Sequence, residues 1–99
     1  MVVERQISEA RRSELGVASW SYWESDAELA DSWPVSYADP EAVYIVEGEA
    51  TVAPESGGEG LSFKSGDLVF FPPGRCYLWE ASKGTLRLRR GMVAQDGRI

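Results

Sequence analysis

Histidine is absent from this chain of 99 residues, and its absence restricts the possible chemistry more than any other feature of the composition. No side chain has an unperturbed pKa near neutrality, so a general acid or base would have to be a carboxyl, Lys, Tyr or Cys group with a shifted pKa. Nucleophile systems that depend on histidine are excluded. Histidine-ligated zinc sites, and the iron site built from two histidines and a carboxylate, are excluded for the same reason.

Other scarce features exclude further classes of protein. The single cysteine, Cys76, cannot build a disulfide framework or a four-cysteine zinc site. The acidic residues do not occur in the spacing of a calcium loop. The chain also lacks the run of about 18 apolar residues that a membrane-spanning helix needs. Residues 1–5 lack the basic and apolar stretches of a secretory signal, so we expect a cytoplasmic protein.

The charge that is present is unevenly distributed. Residues 1–59 have a net charge of −10 and residues 60–99 a net charge of +4, for −6 overall. A net negative charge opposes binding to a phosphate backbone, so no nucleic-acid partner is expected. Near the end of the chain, Arg87 and Arg89 share one face of a predicted strand. We interpret that face as solvated; if it pointed inward, the two guanidinium groups could hold a carboxylate.

Local patterns predict one short helix followed by strands. Ser8 suits the N-cap and Gly16 the C-terminal cap of a helix over residues 8–15. Beyond Gly16, apolar runs alternate with Gly, Pro, Asp and Ser every ten residues or so, which is typical of all-β proteins. The predicted strands span residues 17–24, 33–37, 42–47, 50–54, 61–64, 67–71, 76–81 and 85–93, with a hairpin loop at 55–60. So many short strands favour a closed barrel or a jelly roll.

Two segments resemble the motifs of the cupin superfamily, usually written G-x5-H-x-H-x3/4-E-x6-G and G-x5-P-x-G-x2-H-x3-N. Gly66, Pro72 and Gly74 match the second motif, and Glu41 and Gly48 match the end of the first. The resemblance spans residues 17–91 and implies an all-β, cupin-type jelly-roll β-barrel with a short N-terminal helix. It also implies a single domain over residues 1–99, with its core at roughly residues 17–93.

Within the superfamily the chain looks most similar to small single-domain cupins related to the ethanolamine-utilisation and (S)-ureidoglycine aminohydrolase group. The similarity lies in Trp20-Ser-Tyr-Trp-Glu24 and in Phe71-Pro-Pro-Gly74, which Trp79-Glu80 follows. In metal-binding cupins the two motifs supply three histidines and a glutamate. Of those four ligand positions the chain keeps only the glutamate, and the other three hold one aliphatic residue and two tyrosines. The four positions fall at Val35, Tyr37, Glu41 and Tyr77. We therefore predict a cupin without the usual metal and without another cofactor.

The same positions predict a ligand cavity. Strand alternation places Val35 with Tyr37, and Tyr77 with Trp79, on faces that the motifs direct into the barrel. Together with Glu41 they form an aromatic cavity with one acid, which suits a small organic ligand. Burial beside aromatic rings disfavours the ionised carboxylate, so Glu41 is a tentative catalytic acid or base. Alternatively, Glu41 accepts hydrogen bonds from the backbone or from a tyrosine, and the tyrosines fill space.

Two functions therefore remain open from the sequence, and neither decides whether the chain is an enzyme. The first is binding of a small polar metabolite inside the barrel. The second is a non-catalytic structural or regulatory module that acts as a homodimer, since small barrels cover strand edges by pairing. We expect the four tryptophans to lie in the core or in a dimer interface. Cys76 should point away from Tyr77 and be an inert, buried thiol.

Overall fold

A computed structural model describes residues 1–25, 32–81 and 85–92, in which nine strands form two antiparallel sheets. The strands are β1 (Val2–Glu4), β2 (Ser21–Glu24), β3 (Ser32–Tyr37), β4 (Glu41–Glu47), β5 (Glu49–Pro54), β6 (Leu61–Lys64), β7 (Leu68–Phe71), β8 (Arg75–Ala81) and β9 (Arg87–Gly91). One sheet has the order β1-β7-β4-β9-β2, and the other has the order β3-β8-β5-β6. The predicted all-β jelly-roll fold with a short N-terminal helix is confirmed.

The helix α1 (Glu9–Leu15) lies between β1 and β2 in the chain, and both of its predicted caps are present. The Ser8 hydroxyl accepts a hydrogen bond from the Arg11 backbone N–H, which would otherwise lack a partner at the first turn. Gly16 ends the helix with φ 71°, a left-handed conformation that glycine adopts without a steric penalty. Neither helical segment in the described part of the chain is long and apolar enough to cross a membrane.

The main core fills the space between the two sheets because side chains alternate along each strand. Val52 of β5, Phe63 of β6, and Val69 and Phe71 of β7 are almost completely buried there. A second apolar cluster lies on the opposite side of the first sheet, where α1 and the 3-10 turn Val17–Ser19 cover it. Its buried members are Val17, Trp20, Ala42, Leu68 and Phe70. Burial of the apolar strand residues on both sides explains why β7 has no exposed side chain.

Gly48 lies between β4 and β5, where the chain passes from the first sheet to the second. Gly48 has φ 94°, and a Cβ atom at this position would lie 2.6 Å from the Thr85 carbonyl oxygen. A side chain would therefore clash with the backbone before β9, and only glycine fits both the torsion and the space. Residues 55–60 connect β5 to β6 as the predicted hairpin loop.

Most predicted strand ends are within one residue of those observed, but some elements differ in more than this. Residues 17–19 form the 3-10 turn, so the first predicted strand begins only at Ser21. Asp67 belongs to the turn before β7, where its side chain accepts hydrogen bonds from the turn and from Gln6. The last predicted strand is shorter, Arg87–Gly91, and its predicted end at residue 93 lies outside the described residues. Strand β1 was not predicted, because its three residues are too few to establish an alternation.

Candidate functional site

A cavity of about 340 Å³ lies between the two sheets and opens to the surface. Strands β2, β4 and β9 form one wall and strands β3 and β8 form the other. The lining residues are Trp23, Trp33, Val35, Tyr37, Glu41, Val43, Trp79, Leu88 and Arg90. Apolar and aromatic groups make up most of this lining, and one ion pair supplies the charge, which is the composition of a typical small-molecule pocket.

Strand register explains why these side chains meet. On β3 every second residue, from Trp33 to Tyr37, faces the cavity, and Trp33 lies directly opposite Trp79 of β8. On the other wall Val43 of β4 lies opposite Arg90 of β9. Glu41 is two residues before Val43, so it is the diagonal neighbour of Arg90 on the same face. Long side chains reach across such a diagonal.

The ion pair between Glu41 and Arg90 is the polar centre of the cavity. Arg90 donates from Nε and Nη2 to the same carboxylate oxygen, Glu41 Oε1, at 3.1 and 2.9 Å. The Glu41 side chain is 11% exposed, whereas that of Arg90 is 45% exposed, so the carboxylate lies inside and the guanidinium lies at the rim. The other oxygen, Oε2, is buried and has no hydrogen-bond partner among the described residues. A buried acceptor left in this way costs about 1–3 kcal/mol.

Tyr37 supplies the second polar group of the cavity. The Trp79 indole N–H donates to the Tyr37 hydroxyl oxygen at 3.1 Å, and the Tyr37 ring stacks on Phe71 at 4.4 Å. Burial, and then the negative charge of Glu41, raise the pKa of Tyr37. The phenol therefore keeps its proton at neutral pH. Within the part of the chain that the structure describes, this proton is not given to another residue, so it can be donated to a ligand.

Three indole rings form the flat walls of the cavity. Trp23 and Trp33 are tilted by 37° with their centroids 5.5 Å apart, and Trp33 and Trp79 are nearly parallel at 6.4 Å. Trp79 is fully buried and Trp20 lies in the second apolar cluster, as predicted for core tryptophans. Trp23 and Trp33 are only half-buried and present part of their surface to the cavity.

Four of the five predicted ligand-binding residues line this cavity: Val35, Tyr37, Glu41 and Trp79. Tyr77 does not. It faces inward as the alternation predicts, but its ring packs edge-on against Phe71 at 5.0 Å in the core, and only 2% of the residue is exposed. The alternative in which Glu41 accepts a hydrogen bond from the backbone or from a tyrosine is wrong for the described residues, because its partner there is Arg90.

Among the cavity residues that were not predicted are Arg90, which supplies the positive charge, and Trp23 and Trp33, which line the cavity rather than lying in the closed core. Leu86 and Leu88 are buried, and the alternation that begins with them continues to Arg90, so this signal was present in the sequence. Arg87 and Arg89 face outward, as predicted. Arg87 pairs with Glu47 at 3.1 Å on the surface, and Arg89 donates to the Trp20 carbonyl oxygen.

Cys76 points away from Tyr77, as predicted, but the prediction of a buried thiol is wrong. Cys76 is exposed, and its Sγ atom lies 2.9 Å from the hydroxyl oxygen of Ser36. The reason is that the outer face of the second sheet is not covered by another element among the described residues. Cys76 is therefore not part of the cavity.

The residues at the usual cupin ligand positions do not fit a divalent metal. Val35 offers no donor atom, and Tyr77 is turned into the core. The Tyr37 hydroxyl oxygen already accepts from Trp79, and a guanidinium already occupies the side of the Glu41 carboxylate at Oε1. No group of three or more Asp, Glu, Cys or His side chains with metal-binding geometry occurs within residues 1–25, 32–81 and 85–92. This donor set lacks the several strong ligands that a transition metal needs.

Two facing antiparallel sheets in a jelly roll, with a cavity between them, define a cupin-type barrel. The chain belongs to the EutQ-like cupin domain family, whose model matches residues 12–89. This match confirms the predicted relationship to the cupins of ethanolamine-utilisation proteins. The comparison with curated proteins finds no match.

Solved structures support the same placement. A DUF861 family protein from Thermotoga maritima is 27% identical, with a TM-score of 0.78, and the match covers 92% of this chain and 97% of that one. A putative ethanolamine utilization protein Q from Salmonella typhimurium is 25% identical, with a TM-score of 0.52, over 70% of this chain and 50% of that one. The EutQ protein of Clostridium difficile, 18% identical with a TM-score of 0.53 over 85% and 76% of the two chains, supports the fold.

Proposed function

We propose that this cupin binds a small organic molecule in the aromatic cavity and does so without a metal ion. The main support is a cavity of about 340 Å³ whose lining includes Glu41, and the buried Oε2 atom of this residue has no hydrogen-bond partner in the described part of the chain. A hydrogen-bond donor on a bound molecule would remove the free-energy cost of leaving this buried acceptor unpaired. The indole rings would supply apolar contact for the rest of the molecule.

Glu41 takes part in ligand binding, whereas its role as a catalytic acid or base remains a prediction. Its Oε1 atom accepts from two N–H groups of Arg90, which fixes the orientation of the carboxylate. A fixed acceptor beside apolar walls is what orients a ligand in a pocket of this size. A role in proton transfer would need a reacting group within hydrogen-bond reach of Oε2.

A library of small metabolites, screened by thermal shift in the presence of EDTA, tests the proposal. Hits should raise Tm in the natural protein and lose their effect in Val35→Phe, which fills the cavity from β3. Val46→Phe is the matched control, because Val46 is exposed on β4 outside the cavity and the variant should keep every hit. If Val35→Phe fails to unfold cooperatively, Val35→Leu replaces it. The absence of hits, or hits that Val35→Phe retains, would contradict binding in the cavity.

The outer face of the second sheet favours a second function, a non-catalytic homodimer. Pro34, Leu78 and Ala53 form one cross-strand row there, and Leu78 is 44% exposed. Because each copy has a net charge of −6, two copies would approach with the least repulsion through such an uncharged row. Sedimentation of the natural protein and of Leu78→Glu tests this function. A dimer that Leu78→Glu dissociates would support it, and a monomeric natural protein would exclude it.

A further inference from the structure

We propose, on the basis of the proposed function, that the cavity selects an uncharged ligand whose polar group both donates and accepts a hydrogen bond. An alcohol or a primary carboxamide attached to an aromatic or apolar body has this chemistry. The inference follows from the hydrogen-bonding states of Glu41 and Tyr37, which both line the cavity, and from the charge balance between Glu41 and Arg90.

The acceptor side of the cavity requires a donor on the ligand. Glu41 Oε2 can only accept a hydrogen bond when the carboxylate is ionised, and it is buried. Arg90 directs both of its recorded hydrogen bonds to Oε1, so it does not satisfy Oε2. A ligand O–H or N–H directed at Oε2 would fill this gap.

The donor side requires an acceptor on the same ligand. Trp79 donates to the Tyr37 hydroxyl oxygen, which fixes the orientation of the phenol and leaves its O–H to donate. Because burial raises the pKa of Tyr37, this O–H is retained at neutral pH. A ligand hydroxyl or carboxamide offers both an acceptor for Tyr37 and a donor for Glu41, and both residues line the cavity.

The charge balance of the site disfavours ionic ligands. The pair of Glu41 and Arg90 is neutral overall, so the cavity lining carries no net charge that would balance a charged ligand. An anionic group would face Oε2, an acceptor of the same charge. A cationic group would be close to the Arg90 guanidinium and could not accept the Tyr37 proton. Either ion would also lose its hydration on entering a largely apolar cavity, which is costly without a partner.

The walls define the remainder of the ligand. Trp23, Trp33 and Trp79 are arranged around the opening and the interior, and Val43 and Leu88 lie on the opposite wall. Indole rings pack well against another flat apolar group. An aromatic ring with a single polar substituent therefore reproduces the essential features of the ligand and can be used as a probe.

Five compounds that share one ring test the inference: benzyl alcohol, benzamide, benzylammonium, benzoate and toluene. Their dissociation constants are measured by NMR titration of the intact chain at neutral pH with EDTA. Benzyl alcohol and benzamide should bind at least about tenfold more tightly than benzylammonium and benzoate, which corresponds to about 1.4 kcal/mol. They should also bind more tightly than toluene, which has the ring without the polar group.

Variants identify the atoms responsible. Tyr37→Phe and Glu41→Leu should each reduce the preference for benzyl alcohol over toluene by about fivefold or more, because each removes one hydrogen bond to the hydroxyl. Tyr44→Phe and Glu47→Leu are the matched controls, since both residues lie on β4 outside the cavity lining. These controls should retain the preference of the natural protein.

The outcomes separate this inference from the proposed function. Tighter binding of benzoate or benzylammonium would overturn the uncharged class while supporting a ligand cavity. Equal affinity for toluene and benzyl alcohol would likewise overturn the role of Tyr37 and Glu41. If every probe fails but the library yields a hit that Val35→Phe abolishes, the inference is wrong and the proposed function stands. If neither the probes nor the library bind, both are wrong.

Discussion

Glu41 and Arg90 form an ion pair whose two members are buried to different extents. The guanidinium is partly hydrated at the rim, whereas the carboxylate is inside, so removal of Arg90 would leave a buried charge without its partner. We expect Arg90→Met to lower the free energy of unfolding by about 1–3 kcal/mol, less than for a fully buried pair because of solvent screening. Adding Glu41→Gln to Arg90→Met should recover most of this loss.

Urea denaturation of the two single variants and the double variant measures the coupling between these residues. Arg75→Met is the control, because Arg75 is exposed and has no ion pair among the described residues. It should change stability by no more than about 0.5 kcal/mol. Equal stability of Arg90→Met and Arg75→Met would show that the pair does not matter for folding.

Tyr37 should make the protein sensitive to alkaline pH. Burial, and then the charge of Glu41, raise the pKa of Tyr37 above the ordinary value of 10.0, so folding favours the protonated phenol. The stability that this group contributes is therefore present below the unfolded pKa of 10.0 and is lost as the pH rises above it. In urea denaturation at pH values from about 9 to 11, Tyr37→Phe should lose less stability than the natural protein. Tyr44→Phe should follow the natural protein, and identical slopes for all three would contradict this role.

At the scale of elements, the attachment of β1 depends on one buried carboxylate. Asp67 is completely buried in the turn before β7 and accepts hydrogen bonds from the backbone N–H groups of Lys64 and Gln6. The Gln6 amide and the Arg5 guanidinium also donate to it. These bonds connect the turn to the segment that follows β1, so the carboxylate holds the first strand against the rest of its sheet.

Acid should release this attachment. Burial alone would raise the pKa of Asp67, but the hydrogen bonds from Lys64, Gln6 and Arg5 lower it below the usual 3.8. The stability from Asp67 is therefore complete above pH 3.8 and is lost as the pH falls through the lower pKa of the folded state.

Asp67→Asn tests the acid dependence. The substitution should cost about 1–3 kcal/mol near neutral pH and give a shallower fall in stability below pH 4 or so than in the natural protein. Hydrogen exchange of the Val3 amide should accelerate in the variant, because β1 loses its attachment. Asp39→Asn, at an exposed position, is the control, and it should change neither the acid dependence of stability nor the exchange of the Val3 amide. An unchanged acid profile in Asp67→Asn would contradict the assignment.

The strand elements were predictable where alternation or turn residues mark them. Gly48, Gly66 and Pro72 bound the strands that the motifs describe, and β4 to β8 are at the predicted positions to within a residue or two. Local patterns could not reveal β1, because its pairing with β7 depends on residues more than sixty positions away. The sequence predicts an inert, buried thiol at Cys76 because no histidine or clear basic partner is adjacent, yet the exposure of Cys76 depends on whether another element covers the sheet.

For the molecule as a whole, the sequence predicts most of the residue types in the candidate site but not which of these side chains contact one another. The inward positions of Tyr37, Glu41 and Trp79 follow from the motifs and from strand alternation. The exclusion of Tyr77 from the cavity depends on how its ring packs against Phe71, which only the assembled core decides. The contact of Arg90 with Glu41 depends likewise on the register of β4 against β9.

The central claim, metal-independent binding in the aromatic cavity, is tested most directly by NMR titration of EDTA-treated protein with a hit from the metabolite library. The Trp79 indole N–H donates to Tyr37 beside the cavity, whereas Trp20 is buried in the second apolar cluster. We predict a saturable shift of the Trp79 indole resonance with little change at Trp20. A shift that requires an added divalent metal, or equal shifts at both indoles, would contradict the claim.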